Sequence, residues 1–87
     1  MAKIIIPSPL RRHTDNRREI VMDAPDLATA MKGLLDQYQG LNFITEEPEL
    51  LSVFVNGKLV EGGQEKWKEV ALNDNDEVTL IIPIAGG

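Results

Sequence analysis

The chain closes on Pro83, Ile84, Ala85, Gly86 and Gly87. Adjacent glycines can thread a narrow channel and take backbone angles closed to other residues. The reactive group such an end offers is its carboxylate. With a pKa of about 3.3–3.7 that group is ionised at neutral pH and is a poor electrophile. Adenylation would convert it to an acyl-phosphate anhydride with a good leaving group. A sulfur nucleophile would then give a thiocarboxylate, and a lysine amine an isopeptide bond. Pro83 has no N–H to extend a strand ladder. Residues 84–87 are therefore expected to project from the domain, by about 13–14 Å when extended. The plain alternative is a solvated end with no role.

Little else in the chain could perform such chemistry. There is no cysteine, which removes disulfides, a thiol nucleophile and a carried persulfide. The single histidine, His13, rules out a polyhistidine metal site. No catalytic residue and no metal site are assigned, so activation must come from a partner enzyme. His13 follows Arg11 and Arg12, and the three form a candidate contact for an anion or a partner surface. A solvated basic loop is the simpler reading of them.

The charge is uneven. Residues 1–18 hold Lys3, Arg11, Arg12, Arg17 and Arg18 against Asp15, whereas residues 19–87 hold four lysines against thirteen acids. The formal net charge is −5. An acidic body with few aromatics argues against nucleic acid as a partner. No apolar run is long enough to span a membrane. The apolar start is too short for a signal segment and is cut by Pro7 and Pro9. A cytoplasmic location is expected, and 87 residues suit one domain.

The elements that must position these groups follow from pattern. "KIIIP" reads as a short strand and "REIVM" as a second, with the polar stretch "SPLRRHTDNR" as a loop between them. Leu27, Ala30, Met31, Leu34, Leu35 and Tyr38 form one helical stripe. Asp23 is the expected N-cap, with Pro25 and Asp26 in the first turn, and Gly40 the expected stop. Gly33 inside this helix is expected to allow close packing against a strand. "LNFITEEPEL" is an acidic, proline-broken connection. "LSVFV" and "KLV" flank Asn56-Gly57, the strongest short hairpin signal. The segment 61–77 reads as irregular, anchored by Trp67 and Leu72. "EVTLIIP" is the last strand.

The order ββαββ with a returning last strand predicts an α+β fold, a ubiquitin-like β-grasp. A small mixed sheet is crossed by one main helix, in a single domain over residues 1–87 whose tail is 84–87. A ferredoxin-like sandwich would need a second amphipathic helix. Side-chain parity puts Val53, Val55, Val78, Leu80 and Ile82 under the helix. Phe54 and Ile81, with Ile5, are left on the open face. With Ile84 and Ala85 they make a candidate docking patch that leads into the tail.

A β-grasp that ends "VTLIIPIAGG", with "VFVNGKLV" upstream, resembles the ThiS/MoaD family of ubiquitin-like sulfur carrier proteins over nearly the whole chain. The resemblance implies that Gly87 carries the sulfur as a thiocarboxylate and that Gly86 keeps the tail threadable. It implies an E1-like adenylyltransferase, MoeB- or ThiF-like, which uses ATP, and a sulfur donor protein; no cofactor is expected on the carrier. The stretch "IPSPLRRHTDNRREI" is similar to the start of the CysO-type cysteine-biosynthesis carriers. Those deliver sulfur to a pyridoxal-phosphate cysteine synthase, after which a zinc metalloprotease releases cysteine. Thiamin-type carriers are usually shorter. The small subunit of molybdopterin synthase, working with its large subunit, stays open, although Ile82 stands where such chains often have the first proline of Pro-Pro-Val-Ala-Gly-Gly. A modifier joined to lysines and a β-grasp binding module with an incidental tail also stay open.

Overall fold

The computed structural model describes residues 1–42 and 51–82. Five strands form one sheet: β1 (Ala2–Ile5), β2 (Glu19–Met22), β3 (Ser52–Val55), β4 (Lys58–Leu59) and β5 (Glu77–Ile81). Their spatial order is β2-β1-β5-β3-β4. The two central strands, β1 and β5, run parallel, with Ile4 opposite Val78. The other pairings are antiparallel. The helix α1 (Leu27–Gln37) crosses one face. This is the β-grasp arrangement expected from the element order, and the ferredoxin-like alternative falls.

Alternation along the strands places the core. Ile4, Ile20, Val53, Val78 and Leu80 are buried against Leu27, Ala30, Met31 and Leu34 of α1. Met22, Val55 and Ile82 are partly buried on the same side. Complete burial of a leucine or isoleucine side chain contributes about 1.5–3 kcal/mol, so this interlayer contact is a main source of stability. Gly33 sits where a Cβ would lie 2.7 Å from the Met22 sulfur. The helix thus closes on β2 through a position without a side chain.

Four local expectations need correction. The N-cap of α1 is Asp26, whose carboxylate accepts the Thr29 N–H at 2.7 Å, and not Asp23. Residues 25–27 are tied to 70–72 by Leu27 N–H to Val70 O at 2.9 Å and Leu72 N–H to Pro25 O at 3.0 Å. This extended bridge delays the helix by one turn. At the other end α1 stops at Gln37, because a 3-10 turn (Gln39–Leu41) follows and buries Leu41. Gly40 lies inside that turn, and a Cβ there would meet His13 Nδ1 at 2.7 Å. The stretch read as a loop holds a 3-10 helix, Ser8–His13, which buries Leu10. The segment read as irregular holds another, Gly63–Glu69, which packs on α1 and buries Trp67. Short 3-10 turns have no long hydrophobic period to betray them. Trp67 and Leu72 do anchor this region.

Candidate functional site

The parallel pair β1–β5 decides where the candidate residues meet. Ile5 lies opposite Thr79, so the chain leaves β1 and β5 at the same end of the sheet. The arginine-bearing connection after β1 therefore leaves the sheet at the end where Ile82, the last described residue before the tail, also lies. Pro83, Ile84, Ala85, Gly86 and Gly87 lie outside the described residues, as does most of "LNFITEEPEL".

On the face away from α1, the register sets Ile5, Thr79, Phe54 and Leu59 in one cross-strand row. Ile81 lies diagonal to Phe54, because its direct partner is Ser52. Ile5 and Phe54 are half-buried, whereas Ile81 and Leu59 are 45% and 51% exposed. The structure thus brings Ile5, Phe54 and Ile81 onto one open face. Leu59 extends the row and was missed. The two-residue turn made it legible: if Val55 faces Lys58 across Asn56-Gly57, Phe54 must face Leu59.

Arg11, Arg12 and His13 are not three equivalent groups. Arg11 Nε donates to Ile6 O at 3.1 Å, which uses the side chain to hold the turn. Arg12 Nε donates to His13 Nε2 at 3.3 Å. His13 lies against Gly40. Sequence reasoning gave no role to Thr14, the one buried polar residue among those described. Its hydroxyl sits 3.2 Å from Arg11 O and 3.1 Å from Arg17 O, between the two strands of the connection. Asp15 and Asn16 follow with φ of 55° and 62°, and Asn16 N–H returns to Arg11 O at 2.7 Å. Short polar side chains tolerate this left-handed region better than most. Arg17 and Arg18 are exposed beyond it.

The opposite end of the sheet is organised by carboxylates. Asn56 and Gly57 have φ of 52° and 84°, as a type I′ turn requires. Asn56 Nδ2 donates to Asp76 Oδ1 and Asn56 Oδ1 accepts from Glu77 N–H, both at 2.9 Å. Asp76 Oδ2 accepts from Asn73 N–H at 2.8 Å. That backbone hydrogen bond, aided by the Asn56 amide, holds the Asp76 carboxyl below its ordinary pKa. The Thr29 N–H does the same for Asp26.

Among the described residues, no group of three His, Cys, Asp or Glu could hold a metal ion, and no helix is long and apolar enough to cross a membrane. No curated protein sequence matches the chain. Solved structures do. A chain of the Amycolatopsis orientalis BexX/CysO complex superposes with a TM-score of 0.82 at 24% identity, covering all of both chains. CysO of Mycobacterium tuberculosis gives 0.77 at 22% identity, over 97% of this chain and all of that one. Small archaeal modifier protein 1 of Methanosarcina acetivorans gives 0.73 at 18% identity, over 99% and 95%. These likenesses show a shared β-grasp fold. The ThiS family matches residues 4–87, almost the whole chain, and the protein belongs to that family.

Proposed function

We propose that the protein is a sulfur carrier whose Gly87 carboxylate is converted to a thiocarboxylate. The observation that carries this reading is the family match, which runs through Gly86 and Gly87 and so includes the two residues the chemistry needs. A Gly87 carboxylate oxygen attacks the α-phosphorus of ATP on an E1-like adenylyltransferase, and pyrophosphate leaves. Sulfide from a donor then adds to the carbonyl and AMP leaves. The chain itself has no cysteine and one histidine, so it acts as a co-substrate and not as the catalyst. ATP is consumed by the activating enzyme.

The likeness to CysO favours cysteine biosynthesis as the destination, with a pyridoxal-phosphate cysteine synthase as acceptor and a metalloprotease releasing the product. The open face of Ile5, Phe54 and Ile81 would seat such partners beside the tail. Intact mass after incubation with ATP, sulfide and an E1-like enzyme from the same source tests the proposal. Replacement of one oxygen by sulfur is expected, and deletion of Gly87 should abolish it while the protein stays folded. An unchanged mass with an enzyme active on another carrier would overturn it. A second reading, conjugation to lysines, is favoured by the likeness to the archaeal modifier. High-mass conjugates that vanish in the Gly87 deletion would support that one.

A further inference from the structure

We propose that Arg12, Arg17 and Arg18 form a rigid electrostatic docking platform for an acidic protein surface that surrounds the partner's tail-accepting cleft. This rests on the carrier reading above and names the chemistry of the partner face. Three observations carry it.

The first is position. Ile6 N–H donates to Arg18 O at 2.8 Å, which continues the β1–β2 pairing past Ile5. Since β1 and β5 are parallel, the arginine turn and Ile82 share one end of the sheet. Any surface that accepts the tail there must pass close to these arginines.

The second is order. A solvated loop would not need a buried threonine and two successive left-handed residues. Here Thr14 bridges the carbonyls of Arg11 and Arg17, Arg17 N–H returns to Thr14 O at 2.9 Å, and Arg11 is tied to Ile6. The backbone that presents Arg12, Arg17 and Arg18 is fixed before any partner arrives, which lowers the entropy cost of binding.

The third is availability. Among the described residues the Arg17 and Arg18 side chains have no hydrogen-bond or ion-pair partner, and Arg12 uses only Nε. Lys3 and Lys66, by contrast, pair with Glu19 and Glu69. At the other end of the sheet Asp74, Asp76 and Glu77 cluster with Lys3 and the Met1 amine, which is paired with Asp74. Lys32, Lys58 and Lys68 also lack an ion-pair partner among the described residues, but they lie on α1, β4 and the 63–69 segment. Arg12, Arg17 and Arg18 are instead gathered on one connection at the end of the sheet where Ile82 lies, on a protein of net charge −5. Such a distribution orients the molecule tail-first toward a negative surface and raises the rate of encounter. The three arginines line none of the hollows beside α1, β4 or Asp74–Glu77. A broad protein face suits them better than a small enclosed anion.

The test is steady-state adenylation by the E1-like enzyme from the same source, read as ATP–pyrophosphate exchange. Wild-type protein must first support exchange; failure there would sink the carrier reading and not this one. The variant R12E/R17E/R18E should raise KM for the carrier about ten-fold or more while kcat stays within about two-fold. Raising NaCl from about 0.05 to about 0.3 M should raise wild-type KM several-fold and leave the variant's nearly flat. K66E/K68E, on the 63–69 segment, should behave as wild type. If the triple reversal does not fold, R12Q/R17Q/R18Q gives the same comparison with a smaller shift. An unchanged KM, an equal effect of the Lys66/Lys68 control, or a change in the KM for ATP in place of that for the carrier would overturn the proposal. So would concentration-dependent self-association that the arginine variant abolishes, which would make a second copy the occupant.

Discussion

The two connections between antiparallel neighbours lie at opposite ends of the same sheet and are built on opposite principles. β3 and β4 are joined by Asn56 and Gly57 alone. β1 and β2 are joined by residues 6–18, which include a 3-10 helix, a buried threonine and two left-handed residues. The short turn is specified by the residues in it, since a type I′ turn needs positive φ at both central positions. The long one is specified by contacts made after it folds: Leu10 enters the core, Thr14 bridges two carbonyls and His13 rests on Gly40. Economy at one end and elaboration at the other make sense if only the second has to present something. The elaborate end is the one from which the tail departs.

The sharpest way to break this contrast is to remove the Thr14 hydroxyl. Thr14→Val keeps the branched shape but removes the one hydroxyl proton shared between the carbonyls of Arg11 and Arg17, of which Arg11 O keeps the N–H groups of Thr14 and Asn16. A loss of about 2 kcal/mol is expected, or a melting temperature lower by about 10 °C for a domain this small. Amide exchange should quicken first at Asn16 and Arg17. Thr14→Ser should recover most of the stability. If Thr14→Val melts like wild type, the hydroxyl is no hub and the long connection is held by Leu10 alone.

A smaller effect is expected at the short turn. Asn56→Ala removes two exposed hydrogen bonds and puts an alanine at positive φ, for a loss of about 1–2 kcal/mol. Asn56→Gly restores the backbone freedom without the amide. It should recover about half of that loss by the same accounting. Equal stability of the two variants would show that the link to Asp76 and Glu77 carries the whole contribution and that turn geometry carries none.

These variants bear on what the sequence could disclose. The helix-facing residues and the open-face trio were legible, because parity along a strand and the period of a helix are local properties; the central parallel pair β1–β5 followed only from the β-grasp fold that the element order suggested. The Asn-Gly turn was legible for the same reason, and with it the register that exposes Leu59. Thr14 was not. Its burial depends on where β1 ends, where β2 begins and how the 39–41 turn closes under His13, which are three separate tertiary facts. The N-cap at Asp26 escaped for a like reason. Asp23 is as good a cap by residue type, but the bridge from residues 25–27 to 70–72 holds the chain extended until Asp26. The arginines were visible as charge. Which of them are used internally, and which face outward, required the hydrogen bonds of Arg11.

Acid should separate the two ends with the smallest perturbation of all. The short-turn end depends on a titratable group, because Asp76 accepts from Asn73 N–H and from the Asn56 amide, and its folded pKa is lowered by them. A lowered pKa means that the ionised form is favoured by folding. Its contribution is complete above the ordinary carboxylate value of about 3.9 and is lost as pH falls through the lowered folded value. The Thr14 bridge of the long connection is made by a hydroxyl and backbone carbonyls, which do not titrate there. Amide chemical shifts followed from neutral pH to below about 3 should therefore move at Asn73 and Glu77 while Arg17, whose N–H is bonded to Thr14 O, stays in place. The Asp26 carboxylate adds a parallel response at Thr29, on the start of α1. Asp76→Asn should remove the response at Asn73 and leave that at Thr29. If both ends of the sheet loosened together in wild type, the carboxylate would not be acting locally, and the two connections would have to be treated as one cooperative unit.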